Sequence, residues 1–445
     1  MNAFLALVRD VWRESRDKRV IWVLGLLGLV VVAFFGSLSF TPVDADAALR
    51  RAAQTLGEQR MRQGMFVGTM SRISAVRVSV AEPRAPRPED DFPLGIDGLR
   101  VVELEFADTG EVDGLYVAWR SVERMARGEG RAASRGGAPS EADAAQAPIG
   151  PEEHRAVLES RFRAAGFAPV VVRLDPDSPR RFVVGAGVER PLELRGACEV
   201  SWCFGAFSTA LEDHSQAEFL AELQAGVAER FAGFIGILVL LSMFAAALPE
   251  LLQKGRFDLL LARPVGRVRL ILFKYLGAVL FVLLLWTLLF CGCVVALGVT
   301  TGFWKFGLIG CALTCTLVFA AIYPVAMLVG AATRHVTLAS LAGLMAWGLE
   351  GIVQTLRMLI ESGQVDRATR WKPVIDAAYW ILPKSSDLTR LNQWMLARDH
   401  LAADSAARIY GAAPTVDWWF AGGTTALFAA AMVTLTCLFV ARRDW

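Results

Sequence analysis

The chain alternates long apolar runs with polar segments, and six of these runs are long enough to cross a bilayer. They are Val20–Phe40, Phe231–Leu248, Leu270–Leu297, Phe306–Val329, Val336–Val353 and Phe420–Val440. A helix needs about 20 consecutive apolar residues to cross a hydrocarbon core about 30 Å thick. The composition agrees, because 54% of the residues are hydrophobic. The pattern therefore predicts an α-helical polytopic membrane protein with six transmembrane helices.

A polar region, residues 41–230, separates the first run from the second. Alternating and β-branched runs predict strands there, and amphipathic runs predict helices. The predicted strands are Ile73–Val80, Leu99–Phe106, Gly114–Trp119, Pro169–Leu174 and Arg181–Val188, and the predicted helices are Ala47–Met65, Pro151–Ala165 and Ser215–Glu229. Residues 128–150 are rich in Gly, Ala, Ser and Pro, which indicates a flexible insertion. We therefore expect an α+β domain inserted between transmembrane helices one and two.

Basic residues mark one side of the predicted membrane. They occur in the N-terminal segment 3–19, in the interval 254–269, at Arg334, and in the pair Arg442 and Arg443. Because cytoplasmic segments near span ends are enriched in Lys and Arg, we expect both termini on the cytoplasmic side of a bacterial inner membrane. The domain 41–230 is then extracytoplasmic. The Arg-rich loop 354–417 is also external, since the rule weakens in loops longer than about 60 residues.

Shorter segments complete the predicted membrane part. Residues 3–19 have the spacing of a helix in the membrane interface, so residues 1–40 hold this helix and the first span. Residues 231–445 hold spans two to six. In the external loop, Val374–Leu382 is too short to span and is expected to be interfacial or re-entrant. Small residues at four-residue spacing in the fifth run, Ala339 with Gly343 and Ala342 with Ala346, permit close packing within the chain or with a second copy.

The segment 249–267, between the second and third runs, is short, charged and amphipathic. A helix can start just after Pro249, because proline suits a first helical turn, and Pro264 would end it. Such a helix, tied at both ends to spans that move, can transmit force. The alternative is an ordinary loop that anchors its spans in the lipid headgroups. The physical argument leaves both readings open.

The order of residues in this segment resembles that of the ABC-2 permease family. It reads Gly255-Arg256-Phe257-Asp258-Leu259-Leu260-Leu261-Ala262-Arg263-Pro264-Val265-Gly266-Arg267, followed by Lys274-Tyr275-Leu276-Gly277. In that family a glycine, a leucine run, an Arg-Pro turn and a later Lys-x-x-Gly lie between the second and third spans, where the ATPase docks. Lys254 departs from the family, which often has an acidic residue before the glycine. A second likeness is Tyr379-Trp380-Ile381-Leu382-Pro383, with Leu388 following.

The resemblance implies the permease subunit of an ABC-type export complex, driven by a separate cytoplasmic ATPase through a coupling helix at 249–267. It implies these ATPase-coupling residues: Glu250, Gly255, Leu259, Leu260, Leu261, Arg263, Pro264 and Arg267. The implied partners are the ATPase, a second permease copy and the lipid bilayer. The sequence does not name the transported substrate.

Motifs for catalysis are missing from the sequence. It contains no Gly-x4-Gly-Lys-Ser/Thr phosphate loop, so we expect no ATPase activity in this chain. The four histidines are scattered, and we expect no metal site, no cofactor and no enzymatic reaction. The net charge of +2 gives no indication of a nucleic-acid partner.

Cys198 and Cys203 are a candidate disulfide of the external domain. They lie five residues apart after Gly196, so that a tight loop between them could close, and the outer face of the membrane permits oxidation. The alternative is a pair of thiols. Glu350 is the one acidic residue inside a predicted span. It is either functional, as buried ionisable residues in spans are by default, or solvated at the outer end of its span.

A second function remains open. The region 41–230 has 190 residues, which is large for a simple permease. The chain could therefore be a non-transporting ABC-type component whose external domain transmits ATPase motion to a partner in the envelope.

Overall fold

The structure is a computed structural model, and it describes most of the chain. The described residues are 20–42, 44–54, 56, 77–90, 92, 99–108, 112–113, 115, 150–175, 178–189, 191–211, 214–251, 266–361, 371–401, 406 and 417–442. The chain divides into two compact units. One, the membrane unit, combines Met1–Leu38 with Leu220–Trp445, and the other, the inserted unit, is Ser39–Phe219.

The described residues form helices and strands that are labelled here in chain order. The helices are α1 (Val20–Gly36), α2 (Ala45–Gln54), α3 (Pro151–Ala164), α4 (Gln216–Gly226), α5 (Ile237–Phe244), α6 (Ala247–Leu251), α7 (Arg267–Thr301), α8 (Gly307–Thr333), α9 (Val336–Glu361), α10 (Lys372–Ile381), α11 (Ser385–His400) and α12 (Trp418–Arg442). A π-helical segment, Val227–Gly236, joins α4 to α5, and short 3₁₀ turns occur at Pro88–Asp90 and Pro191–Glu193. The strands are β1 (Ser39–Pro42), β2 (Val78–Val80), β3 (Arg100–Phe106), β4 (Val170–Leu174), β5 (Arg181–Ala186), β6 (Cys198–Trp202) and β7 (Phe207–Ala210).

Five helices within the described residues are long and apolar enough to cross a membrane. They are Gln216–Pro249, Arg267–Thr301, Gly307–Thr333, Val336–Ile360 and Trp418–Arg442. A sixth apolar helix, α1, is shorter. All six predicted runs are therefore largely helical. Five of these helices, rather than six, are long enough to count as membrane spans.

Helix α8 lies at the centre of the membrane unit. It packs against α7, α9, α11 and α12, and its core residues include Phe319 and Tyr323, which are almost completely buried. The ring of Tyr323 stacks on Phe319 with centroids 5.3 Å apart and on Tyr275 of α7 at 6.2 Å. The four helices packed around α8 bury it, although it contains Pro324 in its interior.

Helix α7 has a different environment along its length. It is 35 residues long, and it exposes about one large apolar side chain per turn from its start almost to its end. These side chains are Val268, Leu272, Leu276, Leu280, Leu284, Leu288, Val295 and Val299. A helix with such an exposed apolar stripe is expected to face lipid rather than the protein interior.

Small residues let the helices of the membrane unit approach closely. A Cβ atom at Gly236 would lie 2.3 Å from Cη2 of Trp286 on α7, and one at Gly343 would lie 2.7 Å from Cδ2 of Leu241. Ala339 is fully buried. Of the two small-residue pairs of the fifth run, the pair Ala339 and Gly343 therefore packs within the chain.

The inserted unit contains two antiparallel sheets and its own cores. One sheet has the strand order β2-β3-β5-β4, with Val102 opposite Val184, and the other has the order β1-β6-β7. Helices α2 and α3 contribute Leu49 and Leu158 to a core that also contains strand residues such as Leu104. A smaller apolar cluster of Phe92, Leu99 and Val101 contains the remaining buried residue of β3, which is Val101.

Several predicted elements of this unit are confirmed, and others are corrected. Strands β3, β4 and β5 and helix α3 occur where the pattern predicts them. The predicted helix 47–65 is described only as α2, and the predicted strand 114–119 and the insertion 128–150 lie almost entirely outside the described residues. Strands β1, β6 and β7 were not predicted.

The two cysteines of the predicted disulfide are not joined in the structure. Cys198 is buried at the start of β6, Cys203 is exposed just beyond its end, and the two are not joined. A strand rises about 3.3 Å per residue, so the four steps from Cys198 to Trp202 already cover about 13 Å, whereas bonded cysteines need Cα atoms about 4–7 Å apart. Extended backbone, rather than a tight loop, separates the two thiols. Burial raises the pKa of Cys198 to about 11, which further disfavours the reactive thiolate.

Candidate functional site

The predicted ATPase-coupling segment is only partly described. Glu250 lies in the short helix α6, which begins two residues before Pro249 rather than after it, and Arg267 is the first residue of α7. The other predicted coupling residues, Gly255, Leu259, Leu260, Leu261, Arg263 and Pro264, lie outside the described residues. Their role remains a prediction.

A cavity of about 680 Å³ lies within the membrane unit, and neither Glu250 nor Arg267 is among its lining residues. Four elements form its walls: the π-helical segment with its flanking residues, α8, α9 and α11. The lining residues used below are Glu229, Arg230, Phe234, Ile237, Thr314, Cys315, Val318, Trp347, Gly348, Glu350, Gly351, Ser386, Leu388, Arg390, Asn392 and Gln393. The volume falls within the range of about 300–1,000 Å³ of small-molecule sites.

The π-helical segment forms one wall. It runs for ten residues, Val227–Gly236, in the middle of the helix Gln216–Pro249. Its Ala228 carbonyl lies 3.6 Å from the Sγ atom of Cys315 on α8, and its Phe234 ring lies 5.6 Å from the ring of Trp347 on α9. Because π-helical turns are rare and often occur at functional sites, this wall marks the cavity as a candidate site.

Amide and hydroxyl groups line the cavity where α8 meets α11. Thr314 and Asn392 are both buried and hydrogen-bonded to each other, because Asn392 Nδ2 donates to Thr314 Oγ1 at 2.7 Å. The single hydroxyl hydrogen of Thr314 can go to Asn392 Oδ1 or to the carbonyl of Cys311, each at 2.9 Å. Gln393 Nε2 donates to the Glu229 carboxylate at 2.6 Å. These bonds tie α11 both to α8 and to the π-helical segment, so they hold three walls together.

Glu350 lies on the cavity wall and is only 2% exposed. Its Oε1 atom accepts a hydrogen bond of 3.1 Å from the backbone N–H of Ser386, in the first turn of α11. A helix N-terminus carries unpaired N–H groups and a partial positive charge, which stabilise a carboxylate. Of the two readings of Glu350, solvation at the end of the span is therefore wrong, because the packing of α11 against α9 buries the side chain.

Behind this wall, a buried polar cluster joins α9, α10, α11 and α12. Tyr379 donates its hydroxyl hydrogen to Asp387 Oδ2 at 2.7 Å, and Gln354 Nε2 donates to the same oxygen at 3.3 Å. Lys384 is fully buried. Its Nζ donates to the carbonyls of Leu382, at 2.9 Å, and of Tyr379, while its backbone N–H donates to Thr425 Oγ1 of α12 at 3.0 Å. The cluster thus attaches the turn between α10 and α11 to two spans, α9 and α12.

The environment of this cluster shifts the protonation of its members. Burial, together with the neighbouring Asp387, raises the pKa of Tyr379 to about 12, so its hydroxyl stays protonated and can donate. Burial lowers the pKa of Lys384, although Asp387 and Glu350 oppose the change. The guanidinium of Arg357 lies 3.7 Å from the centre of the Tyr379 ring, a cation–π distance. The predicted re-entrant segment 374–382 is therefore anchored by its own tyrosine.

The cavity presents two kinds of surface to a bound molecule. Phe234, Ile237, Val318, Trp347 and Leu388 supply apolar and aromatic surface. Glu229, Arg230 and Arg390 supply charge of both signs, and within the described part of the chain no group of three or more His, Cys, Asp or Glu side chains is placed to hold a metal ion. The arrangement suits non-covalent binding of a molecule with both apolar and charged parts.

The comparison with known families decides the class of protein. The family model described as an ABC-2 family transporter protein matches residues 5–359. The chain belongs to the ABC-2 family. No curated protein and no solved structure matches it.

As an ABC-2 family protein, the chain is a multi-pass subunit of an ABC transport system and lies in the lipid bilayer. It works with a partner ABC ATPase. In such a system this subunit is not the catalytic one. The resemblance seen in the residues of 255–267 is thereby confirmed at the level of the family. The match also covers residues 41–230, where the sequence motifs gave no likeness, and it ends before α10, α11 and α12.

Most of the cavity was not predicted from the sequence of this ABC-2 protein. Thr314 and Asn392 are 78 residues apart, and Glu229 and Gln393 are 164 residues apart. No local pattern joins such residues. The signals that pointed toward the site were Glu350, as an acid inside a span, and the Tyr379–Pro383 stretch.

Proposed function

We propose that the chain is the permease subunit of an ABC-type export complex, driven by a separate cytoplasmic ATPase through residues 249–267. The observation that carries this proposal is the match to the ABC-2 transporter family over residues 5–359. The proposed topology has six spans, with α1 as the first, both termini in the cytoplasm of a bacterial inner membrane, and the inserted unit outside. The basic residues near the span ends support this orientation.

The proposed coupling step begins at the ATPase and ends at the cavity. The segment 249–267 is tied to two helices, Gln216–Pro249 and α7. The first of these helices contains the π-helical wall of the cavity, so a push on its cytoplasmic end acts on the same helix that contacts the bound molecule. A dimer with a second permease copy would complete the complex.

The cavity is the proposed site at which cargo engages. Its aromatic wall and its charges of both signs favour an amphipathic cargo. The surrounding hydrogen bonds hold the walls of one chain together.

The experiment is co-purification of the ATPase with paired variants of the coupling segment. Leu260→Asp puts a charge on the apolar face that is proposed to enter a groove on the ATPase, and we expect loss of the ATPase together with normal membrane insertion. Ala262→Asp is the matched control, since two helical residues turn about 200° and place this change on the opposite face. Equal retention of the ATPase by both variants would refute the docking role of this segment.

The force-transmitting alternative is supported by one observation: the inserted unit, Ser39–Phe219, has its own buried cores. The purified complex in lipid nanodiscs separates the two functions. ATPase activity that rises with amphipathic cargo supports export. Activity that rises only with a soluble envelope protein, without movement of cargo, supports force transmission.

A further inference from the structure

A hairpin in the inserted unit exposes aromatic side chains at its tip. The tip, Trp202–Phe207, consists of the last residue of β6, a four-residue turn and the first residue of β7. Phe204 is 83% exposed and Phe207 is 61% exposed. Among the described residues of 39–219, the other large apolar side chain in this class is Leu192, at 37%. The hairpin tip is therefore the main exposed apolar feature of this unit.

The turn holds Phe204 away from the rest of the hairpin. Cys203 and Phe204 have φ values of 52° and 57°, and Gly205 has a φ of 87°. Two consecutive non-glycine residues in the left-handed region are uncommon and cost energy. The Phe204 ring held in this conformation is 83% exposed, so it is available to an external surface.

The register of the sheet shows at which end the tip lies. Strand β1 is antiparallel to β6, and Ser39, its first residue, is opposite Ser201, with their hydroxyl oxygens 2.7 Å apart. Trp202 is the next residue of β6 and pairs with Phe207. The tip therefore extends from the end of the sheet at which β1 begins.

That end of the sheet is the one that the chain enters from the membrane. The apolar helix α1 ends at Gly36, three residues before β1 begins. Three extended residues span at most about 10 Å. The second connection is close as well, because the ring of Phe40 on β1 lies 6.1 Å from the ring of Phe219, the last residue of the inserted unit before Leu220 of the membrane unit.

The composition of the tip also matches a membrane surface. No charged residue occurs from Val200 to Leu211, although 20% of the residues in the whole chain are charged. Aromatic residues are enriched at the boundary between headgroups and acyl chains, where an uncharged, partly apolar group is most stable.

We propose that the hairpin tip, Trp202–Phe207, inserts into the headgroup region of the bilayer that α1 crosses. Phe204 and Phe207 supply the buried apolar surface, and Trp202 lies at the level of the headgroups. The occupant is lipid rather than a protein partner, because the tip lies at the membrane end of the sheet and is uncharged. This inference rests on the proposed topology, in which α1 is a span, but not on the cargo or on the side of the membrane.

The test uses the full-length protein in lipid nanodiscs, in a background without other cysteines. Phe204→Cys carries an environment-sensitive fluorophore, and quenching is measured with a lipid that bears a nitroxide near its headgroup and with iodide in the water. We expect a blue-shifted emission that the lipid nitroxide quenches and iodide does not. Since Phe204 makes no core contact at 83% exposure, the substitution leaves the fold unchanged, which the thermal unfolding midpoint checks.

Leu192→Cys is the matched control, because it is the other exposed large apolar site of the unit. We expect iodide to quench its label strongly. Iodide quenching at residue 204 equal to that at residue 192 would overturn the proposal. Protection of residue 204 from both quenchers would overturn it too, since it would show that protein, rather than lipid, covers the tip.

Discussion

Substitution of Gly236 by alanine tests the close packing beside the cavity. Gly236 ends the π-helical segment, and an added Cβ atom would lie 2.3 Å from Cη2 and 2.4 Å from Cζ2 of Trp286. Carbon atoms in contact are about 3.5–4.0 Å apart, so the indole or the helix must move by more than about 1 Å. Trp286 is 2% exposed and stacks against Phe290, which leaves its rigid ring little room.

The expected change in stability of Gly236→Ala is the sum of two opposing effects. Overpacking a well-packed interior costs about 1–3 kcal/mol, and we expect the upper half of that range because a ring, rather than a flexible chain end, is in the way. Replacing glycine by alanine within a helix contributes about 1 kcal/mol in the favourable direction. The net expectation for Gly236→Ala is destabilisation by about 1–2 kcal/mol.

Gly226→Ala is the matched control in the same long helix. Gly226 has helical φ and ψ angles, and a Cβ atom there would meet nothing within 4 Å. This variant keeps the propensity gain without the clash, so we expect stability equal to or above that of the wild type. The assay is thermal unfolding in detergent, and size-exclusion chromatography of a fluorescent fusion measures the fraction that stays folded.

A double variant separates the clash from other effects. Trp286→Leu removes the ring that Gly236→Ala would strike, so the two substitutions together should cost less than the sum of their separate costs. Additive costs, or a Gly236→Ala variant as stable as Gly226→Ala, would refute the reasoning from close approach.

Three further predictions concern the cavity, the buried cluster and the inserted unit. Gly351→Phe should abolish cargo-stimulated ATPase activity of the reconstituted complex without lowering the unfolding temperature, because a Cβ at Gly351 meets nothing within 4 Å and the ring would fill the cavity. Asp387→Ala should destabilise the membrane unit because the Tyr379 hydroxyl loses its acceptor. We expect a loss of about 1–3 kcal/mol for each partner left unsatisfied, measured by thermal unfolding. Acidification should reduce hydrogen-exchange protection of β3, since hydrogen bonds from Arg84 and Arg181 hold the pKa values of Asp90 and Glu103 below their ordinary values.

The sign of the pH effect follows from the direction of these shifts. A carboxyl group with a lowered pKa in the folded state contributes stability above its unfolded pKa, near 4. That stability is lost as the pH falls through the lower, folded pKa. Arg84→Met removes the shared partner of both acids, so its protection should depend less on pH. A wild-type protein with constant protection from pH 6 to acid conditions would contradict the ion-pair account.

Each of the other two predictions also has a control. Gly423→Phe places the same ring at an open glycine of α12 that does not line the cavity, so cargo stimulation should persist. Loss of stimulation in both glycine variants would mean that filling the cavity is not the cause. For the cluster, Asp387→Asn retains an acceptor for Tyr379 and should cost less than Asp387→Ala. If both substitutions lower the stability equally, the hydrogen bond from Tyr379 to Asp387 is not what stabilises the cluster.

The apolar runs predicted the helices of the membrane unit because burial in lipid imposes one pattern on any span. The last predicted run, Phe420–Val440, differs from α12 by two residues at each end. The strands β3 and β5 were also predicted, since each contains a run of valine and other apolar residues that favours a strand. Local patterns of this kind depend on the surroundings of one element only.

Other features depend on contacts that no local pattern records. The π-helical segment contains residue types that also occur in α-helices. The sequence therefore does not show that its hydrogen bonds join residues five apart. Glu350 was identified as unusual, but its burial depends on α11, which begins 35 residues later in the chain. The strand that separates Cys198 from Cys203 was not predicted, because spacing along the chain does not distinguish a loop from a strand.

The exposed apolar stripe of α7 implies a dependence on bilayer thickness. From Val268 to Val299 the stripe covers 31 helical steps, or about 46 Å at about 1.5 Å per residue, against a hydrocarbon core of about 30 Å. Tilts of helices reach about 40°, which would shorten the projected length only to about 35 Å. The remaining mismatch is met by kinking of α7, by side chains at its ends that reach the interface, or by local thickening of the lipid. Bilayers of long-chain lipids should therefore stabilise this protein more than short-chain ones, and the lipid composition of the membrane becomes a variable in any assay of its transport cycle.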